Sequence, residues 1–282
     1  MSSNPILVIG ATGKTGRRVA AQLQRRGLDL RAVSRNSEVR FDWSDSATWA
    51  RAVAGMKAVY ITHPGLGTAQ AQAEMAEFVK LAAAAGVSRA VLASTPDDGS
   101  PFSEAMRAAE RCIVDAGLGL TSLRLRWFFQ NFSEDFLLPA VLSGKLRLPA
   151  GAGREAFVDA QDIADVAVEA LTDARHNGRS YDLTGPRSLS FADVASELSH
   201  GTGRKVIYVP LEPDAFVAEQ RAMGIPEDWA HMLCSLYQDI AHGKVGAVSR
   251  DVEAVLGSPA RDFKTFVSCV NREGAWGQND AY

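Results

Sequence analysis

The sequence predicts an α/β protein: a doubly wound parallel β-sheet followed by a smaller, helix-rich C-terminal portion. In the first half, short apolar runs alternate with helical patterns, as in repeated strand–helix–strand units. Right-handed crossovers join such units into a parallel sheet with helices on both faces. Several helical patterns stop at a glycine, which adopts the left-handed conformation after a helix at no steric cost. These glycines are Gly27, Gly55, Gly86 and Gly117.

The predicted strands are short, and some, such as the one that contains Val59–Ile61, are almost wholly apolar, as expected when both faces of a sheet are buried. They are Ile6–Ile9, Leu30–Ser34, Val39–Phe41, Ala58–Thr62, Ala90–Ser94 and Leu120–Leu125. The helices predicted between them are Lys14–Arg26, Ser46–Val53, Ala69–Ala85 and Phe102–Ala116. After about residue 145 the regular alternation ends. The remaining predicted elements are the strand Ser180–Leu183 and the helices Asp159–Thr172, Phe191–Ser199, Pro213–Met223, Pro226–Ala241 and Ser249–Leu256.

The composition is that of an ordinary globular protein. Of 282 residues, 46% are hydrophobic and 22% charged, which excludes a collagen-like, disordered or coiled-coil chain. The net charge of −3 gives no general attraction to nucleic acid or to an anionic membrane. The three cysteines have neither a disulfide pattern nor metal-ligand spacing, and no apolar run is long enough to span a bilayer. We expect a soluble cytoplasmic protein without a metal, a nucleic-acid partner or a membrane partner. The sequence leaves open whether the protein forms a homodimer.

The first predicted strand runs through the glycine-rich segment Gly10–Gly16 into a helix. In such a loop Gly10 permits the tight turn, Gly13 lets backbone amides approach a pyrophosphate, and Gly16 lets helix and strand pack closely. The unpaired amides and positive dipole end of the helix favour phosphate. This context predicts a Rossmann-type dinucleotide site over residues 1–185, with a substrate cover over residues 186–282, interleaved as one compact unit. The alternative is an ordinary glycine-rich turn.

The end of the second predicted strand indicates which nicotinamide cofactor is bound. A carboxylate there would bind the ribose 2′-hydroxyl of NAD, whereas an arginine would pair with the 2′-phosphate of NADP. This strand ends in Ser34 and Arg35 with no acidic residue, and Lys14 of the glycine loop is near enough to assist. We therefore predict NADP(H), the alternative being that Arg35 is a solvated loop residue. Asp42 either accepts a hydrogen bond from the adenine or caps the helix that begins near Ser46.

These segments resemble the NmrA-like atypical short-chain dehydrogenases/reductases. Within that family the chain is most similar to the ergot-alkaloid-type iminium reductases, the group of agroclavine dehydrogenase and festuclavine synthase. The resemblance covers nearly the whole chain. It is carried by Gly10–Gly16, Ser34–Arg35, Phe41–Trp43, Thr121–Phe132 and Phe157–Ala164. In the Thr121–Phe132 segment, which is similar to the family's LRP-x-x-F-x-x-N, Arg126 replaces the usual proline.

The resemblance implies cofactor contacts at successive strand ends. The implied residues are Gly10, Thr12, Gly13, Lys14, Thr15, Gly16, Ser34, Arg35, Asp42, Thr62, His63, Pro64, Ser94 and Thr95. Independently, ligands of open α/β sheets bind outside the carboxyl ends of the strands, where these residues are expected.

Ordinary short-chain dehydrogenases carry Tyr-x-x-x-Lys on the helix after the fifth strand. The tyrosine protonates a developing alkoxide, and the lysine lowers the pKa of the tyrosine. This chain has Phe102 and Met106 at those positions, and Glu110 matches a family glutamate of structural role. We expect hydride transfer to a substrate that needs no acid, a small cyclic iminium, imine or quinone-like molecule. The alternatives are an NADP(H)-sensing regulatory or protein-binding protein without turnover, and a scaffold that binds no nucleotide.

Aromatic residues favour the enzyme, since ring faces suit a planar or cationic small-molecule substrate. The candidates are Trp127, Phe128, Phe129, Phe132, Trp229 and Tyr237. The alternative is that about half of these rings are simply core. No residue is assigned a certain catalytic role. Substrate positioning is expected from Ser94, His63, Trp127 and Phe128, and the substrate carbon is expected near Thr62–Pro64, Ser94 and the Trp127–Phe132 segment.

Overall fold

The structure is a computed structural model that describes residues 5–277. Its strands are β1 (Ile6–Ile9), β2 (Leu30–Val33), β3 (Ala58–Ile61), β4 (Arg89–Ser94), β5 (Gly119–Leu125), β6 (Lys145–Leu148), β7 (Arg154–Glu155), β8 (Arg179–Leu183), β9 (Leu189–Ser190) and β10 (Ile207–Pro210). Its α-helices are α1 (Lys14–Arg25), α2 (Trp49–Val53), α3 (Ala69–Ala84), α4 (Pro101–Asp115), α5 (Leu138–Leu142), α6 (Ala160–Thr172), α7 (Phe191–Thr202), α8 (Pro213–Ala222), α9 (Glu227–Ala241), α10 (Asp251–Leu256) and α11 (Phe263–Arg272). Short 3₁₀ helices occupy Ser46–Thr48, Phe129–Phe132 and Ala174–His176.

The described chain divides into two units that interleave along the sequence. Unit 1 comprises residues 5–126, 160–183 and 251–258, and unit 2 comprises residues 127–159, 184–250 and 259–277. A single boundary at residue 185 does not separate them, because residues 127–159 belong to unit 2 and residues 251–258 to unit 1.

Unit 1 contains a six-stranded parallel sheet in the order β2-β1-β3-β4-β5-β8. The chain leaves β1 outward to β2 and then returns to β3 on the other side of β1. The topological switch point therefore lies between the carboxyl ends of β1 and β3, the place where open α/β sheets bind ligands. The predicted doubly wound, Rossmann-type fold is confirmed.

Helices cover both faces of this sheet. α2, α3 and α4 pack in sequence on one face, and α1, α6 and α10 pack on the other. Residues alternate between the faces along each strand, so that Leu7 and Ile9 join Leu92 and Phe78 in the core beneath α2–α4. All four residues of β1 and of β3 are buried, as their apolar sequences predict.

The prediction of a strand at Val39–Phe41 is wrong. This segment makes only an isolated bridge, between Ser34 and Arg40. The physical reason is a local turn: the Ser37 hydroxyl bonds the carbonyls of Ser34 and Val39, at 3.0 and 2.7 Å, and ties this segment to a bend instead of a ladder. The predicted helix from Ser46 begins instead with a 3₁₀ turn, and α2 starts at Trp49.

Unit 2 is rich in helices, as predicted for the C-terminal portion. Its two small sheets are a parallel pair, β6 with β10, and an antiparallel pair, β7 with β9. Neither pair, nor α11, was predicted from the sequence. An aromatic core holds the unit together and includes Phe129, Phe132, Phe157, Phe191, Tyr237, Phe263 and Trp276. Among residues 5–277, no helix combines the length and apolar character that crossing a bilayer requires.

Candidate functional site

The glycine loop connects β1 to α1 at the switch point. Gly10 has φ +72°, a conformation that side chains other than glycine rarely adopt. A β-carbon at Gly16 would overlap the carbonyl oxygen of Gly10, so glycine at this position lets α1 approach the strand end. A β-carbon at Gly13 would lie 3.2 Å from the same oxygen. The tight turn predicted at Gly10 and the close helix–strand packing predicted at Gly16 are both observed.

The N-terminus of α1 is suited to an anion. Its N-cap is Gly13, and within the described chain no side chain caps it and no acidic residue occupies its first turn. The first amides of a helix have no intrahelical partner and lie at the positive end of the dipole. Thr12 and Gly13 are exposed, Lys14 is half-buried, and Thr15 is buried.

The end of β2 lies directly beside this loop. The Ala11 amide donates to the Val33 carbonyl at 3.1 Å, and Ile9 is in register with Val33. Ser34 and Arg35 follow immediately, so both lie next to the glycine loop. The Ser34 amide donates to the Ser37 hydroxyl at 2.8 Å, which fixes the backbone after the strand. Arg35 is exposed and forms no hydrogen bond or ion pair with any residue that the structure describes.

Asp42 does not cap the helical turn at Ser46 with its side chain, one of the two roles left open by the sequence. Its Oδ1 accepts from the Ser44 amide at 3.1 Å and hydroxyl at 2.8 Å, and its Oδ2 accepts from Arg40 at 3.1 Å. The Ser44 hydrogen bonds, helped by Arg40, hold the pKa of this carboxyl below its usual value. Asp42 is therefore a charged, partly exposed residue on the loop that leads from β2 to α2.

The end of β3 is joined to both the glycine loop and the Asp42 loop. The Thr62 hydroxyl donates to the Ile9 carbonyl at 3.2 Å, and the Trp43 indole donates to the Thr62 carbonyl at 3.0 Å. The Trp43 ring also lies 4.4 Å from the His63 ring. Pro64 is exposed on the same loop. Thr62 and His63 therefore lie at the switch point, as predicted, but their side chains hold the surrounding backbone.

The His63 side chain is only 4% exposed, and both of its ring nitrogens are occupied. Nδ1 accepts from the Gly65 amide at 3.0 Å, so Nε2 carries the proton and donates to Glu74 at 3.0 Å. Burial lowers the pKa of His63, and the neighbouring Glu74 only partly offsets that effect. The geometry describes a neutral imidazole that anchors the β3–α3 loop.

The end of β4 carries Ser94, whose hydroxyl, like the His63 ring, is fully engaged in hydrogen bonds within the protein. Its hydroxyl donates to Glu110 Oε1 and accepts from Arg107 Nη2, both at 2.7 Å. The same Nη2 donates to the Thr95 carbonyl at 2.9 Å, and Arg107 pairs with Glu110 at 2.9 Å. Arg107 and Glu110 thus bind the β4 end to α4, which gives Glu110 the structural position implied by the resemblance.

The position where a catalytic tyrosine would stand is occupied by an exposed phenylalanine. Phe102 is 51% exposed and covers the β3–α3 loop, since a β-carbon at Gly67 would lie 2.7 Å from its ring. Met106, one turn further along α4, is buried. The sequence of α4 contains neither tyrosine nor lysine.

In unit 2, the aromatic candidates divide into core and surface. Phe129, Phe132 and Tyr237 are almost fully buried, so the core alternative holds for these three. Trp127 and Phe128 are half-buried, and Trp229 is 59% exposed. The Trp127 ring lies 4.8 Å from Tyr237 and 5.9 Å from the ring of Phe136, which is itself 46% exposed. Trp127 is therefore fixed from two sides while part of its surface remains accessible.

Two clefts occur elsewhere on the molecule. One of about 470 Å³ in unit 2 lies beside Gly153, Ser188 and Gly246, and one of about 340 Å³ in unit 1 lies between α4 and β8. No residue predicted to contact the cofactor lines either cleft. Among residues 5–277, no group of His, Cys, Asp or Glu is arranged to hold a metal ion.

A sequence model described as the NmrA-like family matches residues 2–266. The chain belongs to the NmrA-like family. It is 30% identical to agroclavine dehydrogenase of Claviceps fusiformis, over 98% of this chain and 99% of that protein. It is also 30% identical to an NAD(P)H azoreductase of Xenophilus azovorans, over 93% and 96% of the two chains.

Solved structures agree on the fold. The triphenylmethane reductase of a Citrobacter species, crystallised with NADP(H), superposes with a TM-score of 0.82 at 24% identity, covering 94% of this chain and 99% of that one. The resemblance stated from the sequence, including the agroclavine dehydrogenase group, is confirmed by these relationships.

Three residues important to this NmrA-like site were not singled out as functional by the sequence. Glu74 fixes the His63 tautomer, Arg107 fixes the end of β4, and Trp43 packs on His63. Only Trp43 could have been identified from the sequence, because it belongs to the Phe41–Trp43 segment that carries the family resemblance. Glu74 and Arg107 lie on helix positions whose partners come from other elements, and no local pattern identifies such pairs.

Proposed function

We propose that this protein is an NADPH-dependent reductase that transfers hydride to a small cyclic iminium, imine or quinone-like substrate without a Tyr-Lys acid–base pair. The observation that carries the proposal is Arg35, an exposed guanidinium that lies next to the glycine loop and has no partner among the described residues. The end of β2 carries no carboxylate to repel a 2′-phosphate.

The residues of unit 1 fit a dinucleotide phosphate. Glycine at positions 10, 13 and 16 lets the loop turn tightly between β1 and α1, because β-carbons there would crowd the Thr62 side chain or the Gly10 carbonyl. The N-terminus of α1 offers backbone donors without a competing acidic side chain. Ser34, Arg35 and half-buried Lys14 would bind the 2′-phosphate, and Asp42 would lie on the adenine side. NADPH, when bound, supplies the hydride and its electron pair.

The proposed substrate class follows from the protonation and hydrogen bonding of the polar residues at the strand ends. Ser94 already donates to Glu110, and His63 is neutral with both nitrogens bonded. Phe102 and Met106 have no proton to give. A hydride acceptor that needs no protein acid fits this arrangement: an iminium carbon becomes an amine carbon on accepting hydride, and a reduced quinone takes its proton from water.

Trp127 is proposed to contact the substrate, with Phe128 beside it. Its ring is fixed by Tyr237 and Phe136 and keeps an accessible surface. A fixed aromatic face binds planar and cationic molecules at little entropic cost, because the side chain is already ordered. His63, Ser94 and Thr95 are proposed to shape the backbone of the cofactor site.

The experiment that tests this function follows NADPH absorbance against cyclic iminium ions, quinones and ketones. Saturable oxidation with the first two classes, and little with ketones, is the expected result. Tight NADPH binding without turnover on any class would contradict the reductase and favour a regulator that senses NADP(H). Absence of NADPH binding in a calorimetric titration would overturn the proposal altogether.

A further inference from the structure

The carboxyl ends of β4 and β5 in unit 1 gather buried polar atoms that have no hydrogen-bond partner among the described residues. They are Thr95 Oγ1, Nε and Nη1 of Arg107, Arg124 Nε and Arg126 Nε. Buried polar atoms in folded proteins are nearly always bonded. Such a concentration in one corner of the sheet therefore needs a physical explanation.

These residues are neighbours by strand register and by hydrogen bonding. Arg124 is the registered partner of Ser94, and paired residues of adjacent parallel strands lie on the same face of the sheet. Arg107 reaches the same strand end from α4, where its Nη2 bonds Ser94 Oγ and the Thr95 carbonyl. Arg126 lies one residue beyond the end of β5.

Two of the arginines at this corner have no carboxylate paired with them in the described chain. Arg107 is paired with Glu110, but half-buried Arg124 and Arg126 form no hydrogen bond or ion pair with any described residue. Asp182, the registered neighbour of Arg124 on β8, forms no ion pair with it, and its Oδ1 is likewise buried without a hydrogen-bond partner among the described residues. Withdrawing an unpaired charge from water costs free energy, which a bound anion would recover.

We propose that Arg124 and Arg126, beside Arg107 and Thr95, bind an oxyanion carried by the substrate: a carboxylate, sulfonate or phosphate group. Guanidinium groups match the geometry of such oxyanions and bond them with two donors each. This inference rests on the proposed function and narrows its substrate class to planar electrophiles with an acidic substituent. Arg126 also stands where the resemblance leads one to expect proline, so this chain's own sequence supplies part of the site.

The test compares a naphthoquinone with its monosulfonate as substrates of the wild type, Arg124→Gln and Arg126→Gln. The wild type is expected to show the lower KM for the sulfonate. Each variant is expected to raise that KM at least tenfold, because charge-assisted hydrogen bonds to the sulfonate are lost, and to raise the KM of the neutral quinone far less. Arg111→Gln, an exposed arginine of α4, is the matched control for loss of one positive charge.

Three other outcomes would overturn the inference. Equal KM values for both quinones, unaffected by the variants, would show that no anionic group is recognised. A raised KM for NADPH in both variants would assign the arginines to the cofactor. If inorganic sulfate stabilises the wild type against heat but not Arg126→Gln, while the two quinones have equal KM values, the corner binds a free anion and not the substrate.

Failure of the proposed function is distinguishable from failure of this inference. If the wild type reduces neither quinone and none of the cyclic iminium ions, the reductase assignment fails. Calorimetric titration with naphthalene sulfonate, which cannot be reduced by hydride, still tests the site. Binding to the wild type that weakens in Arg126→Gln supports the site, and identical binding or no binding to both proteins overturns it.

Discussion

The α-carbon of Gly10 and the hydroxyl of Thr62 lie against each other at the switch point between β1 and β3. A β-carbon at Gly10 would overlap Thr62 Oγ1, which itself donates to the Ile9 carbonyl at 3.2 Å. The positive φ of Gly10 adds a second reason for glycine. One residue therefore meets two constraints, a backbone conformation and a close side-chain approach.

Gly10→Ala is expected to lower the free energy of unfolding by roughly 1–2 kcal/mol from the backbone conformation alone, with a further loss from the Thr62 overlap. Denaturant unfolding of Gly10→Ala, Thr62→Ala and the double variant separates the two parts. Thr62→Ala removes the obstructing oxygen, so the double variant is expected to be more stable than additivity predicts. Strict additivity would contradict the overlap.

Arg35→Ala is expected to weaken NADPH binding at least about tenfold, since a charge-assisted hydrogen bond to phosphate is worth about 1.5–3 kcal/mol. NADH binding is expected to stay nearly unchanged, because NADH has no 2′-phosphate. Fluorescence titration with each cofactor measures the difference. Arg40→Ala is the control, an exposed arginine already paired with Asp42 and Asp45. Equal weakening of both cofactors by Arg35→Ala would refute its phosphate role.

Ser94→Ala is expected to lower the free energy of unfolding by about 1–3 kcal/mol, because Arg107 and Glu110 each lose a largely buried partner. The KM for a neutral quinone is expected to change little. Denaturant unfolding and steady-state kinetics give the two readouts. Unchanged stability together with a raised KM would instead make Ser94 a direct substrate contact. Glu110→Gln should destabilise the fold further, as it leaves Arg107 buried without a carboxylate.

The sequence was most informative where local physics decides the structure. Apolar runs such as Val59–Ile61 predict strands buried on both faces, and the glycine loop predicts the strand–helix junction between β1 and α1. At Val39–Phe41 the predicted strand does not form, because the Ser37 hydroxyl bonds the carbonyls of Ser34 and Val39.

Long-range pairing was not predictable from local patterns. β6 pairs with β10 across roughly sixty residues, and nothing within Lys145–Leu148 indicates that partner. The hydrogen-bond partners in the candidate site were unpredictable for the same reason. A lone histidine such as His63 gives no sign that Glu74 will fix its tautomer. The sequence identified which residues lie at the strand ends, and the structure assigned several of them to holding the backbone.

Phe102→Tyr is expected to leave the rate of iminium or quinone reduction nearly unchanged. The Phe102 ring is half exposed where it covers the β3–α3 loop, and α4 carries no lysine to lower the pKa of a tyrosine hydroxyl. Any gain with ketones should fall far below the roughly 10²–10⁴-fold that a positioned general acid contributes. Steady-state rates with ketone and quinone substrates measure this. A gain in that range would show that the position retains acid-catalyst geometry.

The neutral state of His63 predicts a pH dependence of stability. Burial lowers its pKa in the folded protein, while the unfolded chain takes up a proton near about pH 6.5. The unfolded state therefore binds more protons below that pH, and the free energy of unfolding falls as the pH decreases. His63→Gln, which can still donate to Glu74 but does not titrate, should lose less stability between pH 7 and about pH 5 than the wild type.

His176 must be separated from this effect, because burial and the neighbouring Arg175 lower its pKa as well. Denaturant unfolding across this pH range for the wild type, His63→Gln, His176→Gln and the double variant assigns a share of the slope to each histidine. The two lie on different elements and share no partner, so their contributions are expected to add. If the wild type and His63→Gln have the same slope, the His63 imidazole does not stay neutral in the folded protein, and the hydrogen bond from Gly65 to its Nδ1 cannot be what sets its charge.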